Sequence, residues 1–280
     1  MTELLFEGPA GLRLQKKYLE ALVANKCFQF TTTFFPYTSG EIGPYFVNTE
    51  NIIRDGVAYH KVCRDLANGI ELRGDIRANI DGISGGESRD WVFSYPTAAN
   101  LKLPHFTIYK DGKTFGFNVA GFWLAHIADL NNEGSSMRDK WWPSVRKQSG
   151  VIRDAVFFVD RMEDGVEVME ELDINSYALV RLDDSAWDHL KDVSGASQVA
   201  YQNLMERGRI KQERDFWAEK MLRSEDGKFR LVDLFNDDKT REKVRGILVK
   251  GYPHMKEELL ETLRQRSTAG INVDEWLARV

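Results

Sequence analysis

Residues Ala125–Ser136 read AHIADLNNEGSS: an apolar run ends in Asp129, and a polar loop containing Gly134 leads into two serines and a predicted helix. The N–H groups of a helix's first turn have no partner within the helix and carry partial positive charge, so they bind phosphate groups. Gly134 allows a close approach of the backbone, and Asp129 is placed to hold ribose hydroxyls. The stretch therefore predicts a phosphate-binding turn formed by Asn132, Glu133, Gly134, Ser135 and Ser136. The alternative is a simple strand-to-helix turn in which a serine caps the helix.

Short apolar runs alternate with helix-like segments around this stretch. Strands are predicted over residues 27–35, 44–47, 104–109, 122–128, 155–159 and 177–182, and helices over 11–25, 51–68, 91–101, 137–149 and 164–172. A further apolar run, residues 78–83, ends in a predicted loop, Ser84–Asp90. The alternation predicts βαβ units and an α/β fold with a mainly parallel sheet flanked by helices, with the functional loops at the carboxyl ends of the strands.

The pattern changes after about Asp183. Residues 198–222 and 239–265 have the apolar spacing of amphipathic helices, and no strand is predicted beyond residues 231–234. We therefore expect a first domain over residues 1–190 and an α-helical C-terminal extension over residues 191–280.

Composition excludes several classes of protein. The chain has 280 residues and a formal net charge of −5, which argues against a general nucleic-acid binder. Its two cysteines, Cys27 and Cys63, form neither a zinc-binding pair nor a disulfide scaffold. No apolar run approaches the ~20 residues of a membrane span, and the N-terminal segment has no apolar core typical of a signal peptide. We expect a cytoplasmic protein whose partners are small molecules.

Five segments between Phe28 and Asp184 resemble the orotate phosphoribosyltransferases, which are type I phosphoribosyltransferases. Residues 156–167, VFFVDRMEDGVE, resemble that family's V-D-R-x-x-G-G-x-E pattern, and residues 34–48, FFPYTSGEIGPYFVN, resemble its N-terminal F-x-L-K-S-G-x-x-S-P-Y-F segment. Residues 109–116, YKDGKTFG, resemble R-K-x-x-K-x-H-G. Residues 81–101 resemble the segment with the diphosphate loop, and residues 125–136 resemble the motif that binds phosphoribosyl diphosphate (PRPP).

The resemblance implies transfer of a phosphoribosyl group between PRPP and an orotate-like base, with release of diphosphate and a need for Mg²⁺. It implies catalytic roles for Lys113 and Asp129, and base binding by Arg161 and Phe46. Diphosphate binding is implied for Ser84, Gly85, Gly86, Arg89 and Lys110. The resemblance assigns no side chain as a metal ligand, and it implies a homodimer that acts in pyrimidine biosynthesis.

Several of these assignments have an alternative from the residues themselves. The double-glycine loop can be a surface turn with an Arg–Asp pair, or Glu87 and Asp90 can supply acids to a metal. Lone lysines are often solvated surface charges. Arg161 can form a salt bridge with Asp160 or Glu163 at the end of a strand.

The chain also departs from the family's motifs. The first acid of the PRPP motif is replaced by Ala128, and three further positions hold Thr38, Tyr109 and Phe115 instead of Lys, Arg and His. Only a few residues separate Gly116, the end of the third segment, from the predicted strand that begins at Phe122. The family has a long mobile loop at this place. These departures support a second hypothesis, a nucleotide-binding or PRPP-binding regulatory protein with impaired catalysis.

Overall fold

The structure, a computed structural model, describes residues 1–278. Its strands are β1 (Glu3–Leu4), β2 (Phe28–Pro36), β3 (Ile42–Val47), β4 (Gly82–Gly86), β5 (His105–Ile108), β6 (Thr114–Gly116), β7 (Trp123–Asn131), β8 (Val151–Asp160) and β9 (Asn175–Arg181). Its helices are α1 (Gly8–Ala24), α2 (Gly56–Leu72), α3 (Gly74–Arg77), α4 (Arg89–Leu101), α5 (Trp142–Arg146), α6 (Gly165–Glu171), α7 (Asp184–Ser194), α8 (Gln198–Arg207), α9 (Lys211–Arg223), α10 (Glu225–Asn236), α11 (Arg241–Gly246), α12 (Lys256–Arg266) and α13 (Val273–Ala278). Short 3-10 turns cover Thr49–Arg54 and Pro253–Met255, and π-helical turns cover Met137–Trp141 and Ile247–Gly251.

The chain divides into two compact units. Residues 1–28 and 47–194 form the sheet unit, and residues 29–46 and 195–278 form the helical unit. The expected domain boundary between residues 190 and 191 stays a prediction.

A seven-stranded sheet organises the sheet unit, with the strand order β1-β9-β8-β7-β4-β5-β6. Every neighbouring pair for which a register is given is parallel except β5 with β6, which is antiparallel. On one face, Phe158 of β8 contacts Phe93 of α4 and Tyr18 of α1, with ring centroids 5.7 and 5.8 Å apart. Phe157 lies in a second buried cluster with Met169 of α6. The predicted α/β class, with helices on both faces of a mainly parallel sheet, is confirmed.

Strand β8 shows why the sequence folds this way. Its last seven residues, 154–160, are all buried, and five of them are apolar. Parallel strands covered by helices on both faces have such continuous apolar sequences. The strand ends in a charged pair, Asp160 and Arg161, and so carries polar side chains to the carboxyl edge of the sheet.

The helical unit combines the β2–β3 hairpin with the C-terminal helices. Phe34 and Ile42 of the hairpin belong to one buried apolar cluster with Trp217, Phe235 and Leu259. The hydroxyl of Tyr252 also accepts a hydrogen bond from the Ile42 N–H at 3.3 Å. The predicted C-terminal helices are confirmed, and the core that they form includes a hairpin from early in the sequence.

Two predicted element boundaries were wrong at positions of the predicted site. Asp129 was expected in a loop, but β7 continues to Asn131, which pairs with Asp160 of β8. Ser84, Gly85 and Gly86 were expected in a loop, but they form the end of β4, which is buried along its whole length. Arg89 and Asp90 lie in the first turn of α4, not in the loop.

The glycines of β4 are explained by close packing. A Cβ atom on Gly85 would lie 2.1 Å from the Ser94 hydroxyl oxygen, and one on Gly86 would lie 2.2 Å from the Trp141 ring. Both distances are far below van der Waals contact, so these positions exclude any side chain. Glycine therefore permits a helix and an indole ring to approach the centre of the sheet.

Replacing Gly86 with alanine is expected to lower the free energy of unfolding by about 1–3 kcal/mol, because the new methyl group overlaps a buried, rigid indole ring. Urea unfolding measures this loss. Gly56→Ala is the control, since a Cβ atom there meets nothing within 4 Å. A Gly86→Ala protein as stable as Gly56→Ala would contradict the packing explanation.

Candidate functional site

The candidate site lies where three adjacent parallel strands end. β4 pairs with β7 through Ser84 and His126, and β7 pairs with β8 through Asn131 and Asp160. Because parallel strands share one carboxyl edge, the segments that follow β4, β7 and β8 lie side by side. The N–H of Arg161 donates to the Asn131 carbonyl at 3.0 Å, which ties two of these segments together.

The predicted phosphate turn leaves β7 at Asn132 and enters a helical segment at Ser135. Gly134 has φ +67°, and a Cβ atom there would lie 2.7 Å from the Cβ of Val168 in α6. The Asn132 carbonyl accepts from the Gly165 N–H at 2.8 Å, which fixes the turn against the start of α6. Residues 132–135 are partly exposed and Ser136 is exposed. The first N–H groups of the helical segment, which have no partner within a helix, are therefore positioned beside solvent.

Asp129 lies in β7, just before this turn, and is 6% exposed. Its carboxylate accepts a hydrogen bond from the Thr49 hydroxyl, and its N–H donates to the Asp90 carboxylate at 3.3 Å. Burial and the neighbouring charge of Asp90 raise the pKa of Asp129 to about 7, while the Thr49 bond opposes the rise. The site therefore keeps a carboxyl group in an environment that disfavours its charge.

Arg161 follows β8 and forms an ion pair with Glu163 at 3.1 Å, with both side chains 4% exposed. The alternative of a salt bridge to Glu163 is thus observed, and the backbone N–H of Arg161, not its guanidinium, bonds to the Asn131 carbonyl of β7. Whether the same guanidinium binds a base is a separate question, and that role stays a prediction.

Asp160 organises the turn that carries Arg161. Its carboxylate accepts from the Asn131 side chain at 2.9 Å, from the Met162 N–H at 2.6 Å and from the Thr2 hydroxyl at 2.7 Å. Burial raises the pKa of Asp160, and these three hydrogen bonds favour its charged form. The buried acid therefore links the ends of β7 and β8 to the residue after the arginine.

The first predicted loop is shorter than expected. Ser84 is fully buried, and its hydroxyl hydrogen-bonds to Nδ1 of His126 at 3.0 Å. With Gly85 and Gly86 also inside β4, the loop itself consists of Glu87 and Ser88, which are joined by a cis peptide bond. Diphosphate binding by Ser84 and the two glycines stays a prediction, but they are not loop residues.

The remaining cations of the predicted diphosphate site are exposed. Arg89 lies 3.5 Å from Glu50, with both side chains about half exposed. The N–H of Lys110 donates to the Glu87 carboxylate at 2.8 Å, which connects the β5–β6 turn to the first loop. Lys113, in the same turn, pairs with Asp111 at 2.7 Å and its side chain is 81% exposed. In this structure the Lys113 ammonium is a solvated surface charge.

Phe46 belongs to the helical unit and not to the sheet unit that contains the other predicted residues. It lies in β3 and contacts Phe35 of β2, with ring centroids 5.6 Å apart. Its predicted role in base binding stays a prediction.

Three residues in contact with the site were not predicted for it: Thr49, His126 and Asn131. Thr49 precedes α2 in the chain by seven residues, and nothing in its local sequence marks it as a partner of Asp129. His126 offered a signal, because a histidine inside an apolar strand needs buried hydrogen-bonding partners.

Comparison with solved structures supports the fold. The chain is similar to the UMP synthase of Leishmania donovani, with a TM-score of 0.56 and 17% identity over 73% of this chain and 42% of that one. It is similar to the orotate phosphoribosyltransferase of Aeropyrum pernix, with a TM-score of 0.51 and 16% identity over 64% of this chain and 99% of that one. No protein-family model and no curated protein sequence matches the chain. The chain therefore has the fold of the orotate phosphoribosyltransferases, a type I phosphoribosyltransferase fold, with an added helical C-terminal region.

No helix among residues 1–278 is long and apolar enough to cross a membrane.

Proposed function

We propose that the sheet unit binds PRPP at the carboxyl edge of β4, β7 and β8 and transfers its phosphoribosyl group to or from an orotate-like base. In the forward direction, the bond from the ribose C1 to the diphosphate oxygen breaks and a bond from C1 to a base nitrogen forms. Diphosphate leaves with the electron pair of the broken bond, and the proton of the base nitrogen passes to solvent.

The observation that carries this proposal is the convergence of three predicted segments on one edge. Asp90 lies within hydrogen-bonding distance of the Asp129 N–H, and the Arg161 N–H bonds to the Asn131 carbonyl. A ligand that has a phosphate, a sugar and a second anionic group can therefore bind with each of these groups in contact with a different segment. The fold similarity raises the expectation for this ligand class, but the assignment depends on these residues.

Each segment has a distinct chemical task in the proposal. The amides at Gly134–Ser136 bind the 5′-phosphate, and the Asp129 carboxylate accepts hydrogen bonds from the ribose. Arg89 and the lysines at 110 and 113 offset the charge of the diphosphate as it leaves. Lys113 must exchange its Asp111 partner for diphosphate, which an exposed ion pair allows at small cost because such pairs contribute only about 0–1 kcal/mol.

Mg²⁺ enters the proposal with the substrate. Among the residues that the structure describes, no group of three or more His, Cys, Asp or Glu side chains could hold a metal ion. Mg²⁺ often retains waters and binds substrate phosphates with few protein ligands. We therefore propose that Mg–PRPP is the bound species, in which the metal would offset diphosphate charge.

Arg161→Lys is expected to weaken orotate binding by about tenfold and to change PRPP binding less than twofold. Lysine keeps the positive charge beside the buried Glu163 but loses the planar fork that matches a carboxylate, which contributes about 1–2 kcal/mol. Isothermal titration with each ligand measures both affinities. Arg181→Lys, at the end of the neighbouring strand β9 and paired with Asp183 at 2.9 Å, is the matched control. Equal losses for the two ligands would remove Arg161 from the base site.

A second candidate is a PRPP-binding or nucleotide-binding protein without turnover. The observation that favours it is the connection between β6 and β7, which holds only the six residues 117–122 and cannot form a long lid. A site without a lid excludes water poorly, which lowers catalysis more than binding.

One pair of measurements separates the two functions. Mg–PRPP at 100 times its dissociation constant is expected to stabilise the protein by about 2.7 kcal/mol, which a thermal-shift assay detects. Diphosphate release that requires both PRPP and orotate would support the transferase. A thermal shift without release would support the binding protein, and no shift with PRPP, orotate, UMP or OMP would count against both.

A further inference from the structure

Position 128 carries no acid and is packed in an apolar environment. Ala128 is 6% exposed and belongs to the buried cluster that contains Met137, Trp141 and Phe157. A carboxylate at this position would lose its hydration among apolar side chains. Asp129 therefore has no acidic neighbour in its own strand.

An acidic side chain from another element of the fold lies beside Asp129. Asp90, in the first turn of α4, accepts a hydrogen bond from the Asp129 N–H at 3.3 Å. Its side chain is 12% exposed, so a small part of it reaches the surface. The like charge of Asp90 is also among the causes that raise the pKa of Asp129.

A fully buried histidine, His126, lies next to Asp90. His126 hydrogen-bonds through Nδ1 to the Ser84 hydroxyl at 3.0 Å, which fixes its ring. Its Nε2 has no hydrogen-bond partner among residues 1–278 and lies 3.6 Å from the Asp90 carboxylate. A buried nitrogen without a hydrogen-bond partner is destabilising, because it has lost its bonds to water. A shift of a few tenths of an ångström in the Asp90 carboxylate would close this gap to a hydrogen bond, which would fix the orientation of the carboxylate.

We propose that Asp90 supplies the carboxylate that position 128 lacks, so that Asp90 and Asp129 together bind the vicinal hydroxyls of the ribose ring, with His126 positioning Asp90. The Thr49 hydroxyl already makes with Asp129 the kind of bond that a ribose hydroxyl would make. Two carboxylates offer separate acceptors for two neighbouring hydroxyl donors, whereas one oxygen of the Asp129 carboxylate already accepts from Thr49. This inference rests on the proposed function, because it assumes a ribose phosphate at the site.

Ribose 5-phosphate and 2-deoxyribose 5-phosphate test the proposal, because they differ by one of the two hydroxyls. The full-length chain is titrated with each sugar phosphate and with inorganic phosphate in a calorimeter. Wild type is expected to bind ribose 5-phosphate about tenfold more tightly than the deoxy sugar. Asp90→Asn, of nearly the same size, is expected to reduce this preference to about twofold and to change the affinity for the deoxy sugar less than threefold.

Two further variants identify the cause of any change. Asp90→Glu keeps a carboxylate and is expected to retain most of the preference. Asp65→Asn is the matched control, because Asp65 is 7% exposed and accepts a hydrogen bond from Tyr18 in the α1–α2 region; it should leave the preference intact.

The outcomes separate the inference from the proposed function. An Asp90→Asn protein that keeps the tenfold preference would overturn the role of Asp90 and leave the proposed function standing. Loss of preference in Asp65→Asn as well would also overturn it, since any buried acid would then have the same effect. If wild type binds neither sugar phosphate, or binds both no better than inorganic phosphate, the proposed function and the inference both fail.

Discussion

Asp129→Asn is expected to raise the free energy of unfolding at pH 8 by about 1–3 kcal/mol and to weaken PRPP binding at least tenfold. The gain in stability arises because burial and Asp90 disfavour the charged carboxylate, and one pKa unit corresponds to about 1.4 kcal/mol. Asparagine is neutral, and its oxygen can still accept the hydrogen bond of Thr49. A site residue that lowers stability is a recurrent property of functional sites.

The raised pKa of Asp129 determines how the stability of the protein changes with pH. Folded Asp129 retains its proton to a higher pH than the unfolded chain does, so the folded state binds more protons between about pH 4 and pH 7. Stability from this group is therefore greatest below about pH 4 and is lost as the pH rises through about 7. Asp154 and Asp160, whose pKa values burial also raises, contribute with the same sign. Asp129→Asn should make the fall in stability between pH 5 and pH 8 shallower than in wild type.

Urea unfolding at pH 5, 6.5 and 8 measures this difference. Thr49→Val provides a control of opposite sign, because it removes the hydroxyl that favours the charged form of Asp129 and should make the fall steeper. If wild type and Asp129→Asn differ by the same amount at pH 5 and pH 8, Asp129 does not titrate in this range and the description of its environment is wrong.

Gly134→Ala is expected to lower the free energy of unfolding by about 2–4 kcal/mol and to abolish phosphate binding. Two costs add: a left-handed backbone at φ +67° costs alanine about 1–2 kcal/mol, and its methyl group overlaps Val168 at 2.7 Å, which costs about 1–3 kcal/mol. Because the turn must move to relieve the overlap, its amides lose their alignment. Chemical denaturation and titration with inorganic phosphate measure the two effects.

Gly121→Ala separates the two costs. Gly121 has φ +78°, but a Cβ atom there meets nothing within 4 Å, so only the backbone cost applies. It should lose about 1–2 kcal/mol and bind phosphate as wild type does. A Gly134→Ala protein with unchanged phosphate affinity would show that the turn is not the binding element.

The sequence allowed the architecture of the sheet unit to be predicted, because parallel strands and amphipathic helices have distinct apolar periods. β8 was recognised from its apolar run, and the order of the site segments along the chain followed from the motif matches. The end of β7 was missed because Asp129 and Asn131 are polar residues in a strand. Their partners Thr49, Asp90 and Asp160 lie between 29 and 80 residues away in the chain. Local sequence does not contain that information.

The end of β4 was predicted wrongly for a related reason. Gly85 and Gly86 have low strand propensity and suggested a loop, but contact with Ser94 and Trp141 demands the absence of side chains at these two positions. Likewise, the amphipathic pattern of residues 198–265 indicated helices but not that they share a core with Phe34 and Ile42, more than 150 residues earlier.

We propose that the amides from Gly134 to Ser136 bind the phosphate of a ribose phosphate. Amide-resolved NMR during titration with Mg–PRPP measures whether they do. We predict saturable shifts of the Gly134, Ser135 and Ser136 amides, with smaller shifts at Asp129 and Arg161. Saturable shifts elsewhere in the chain, with these amides unmoved, would contradict it.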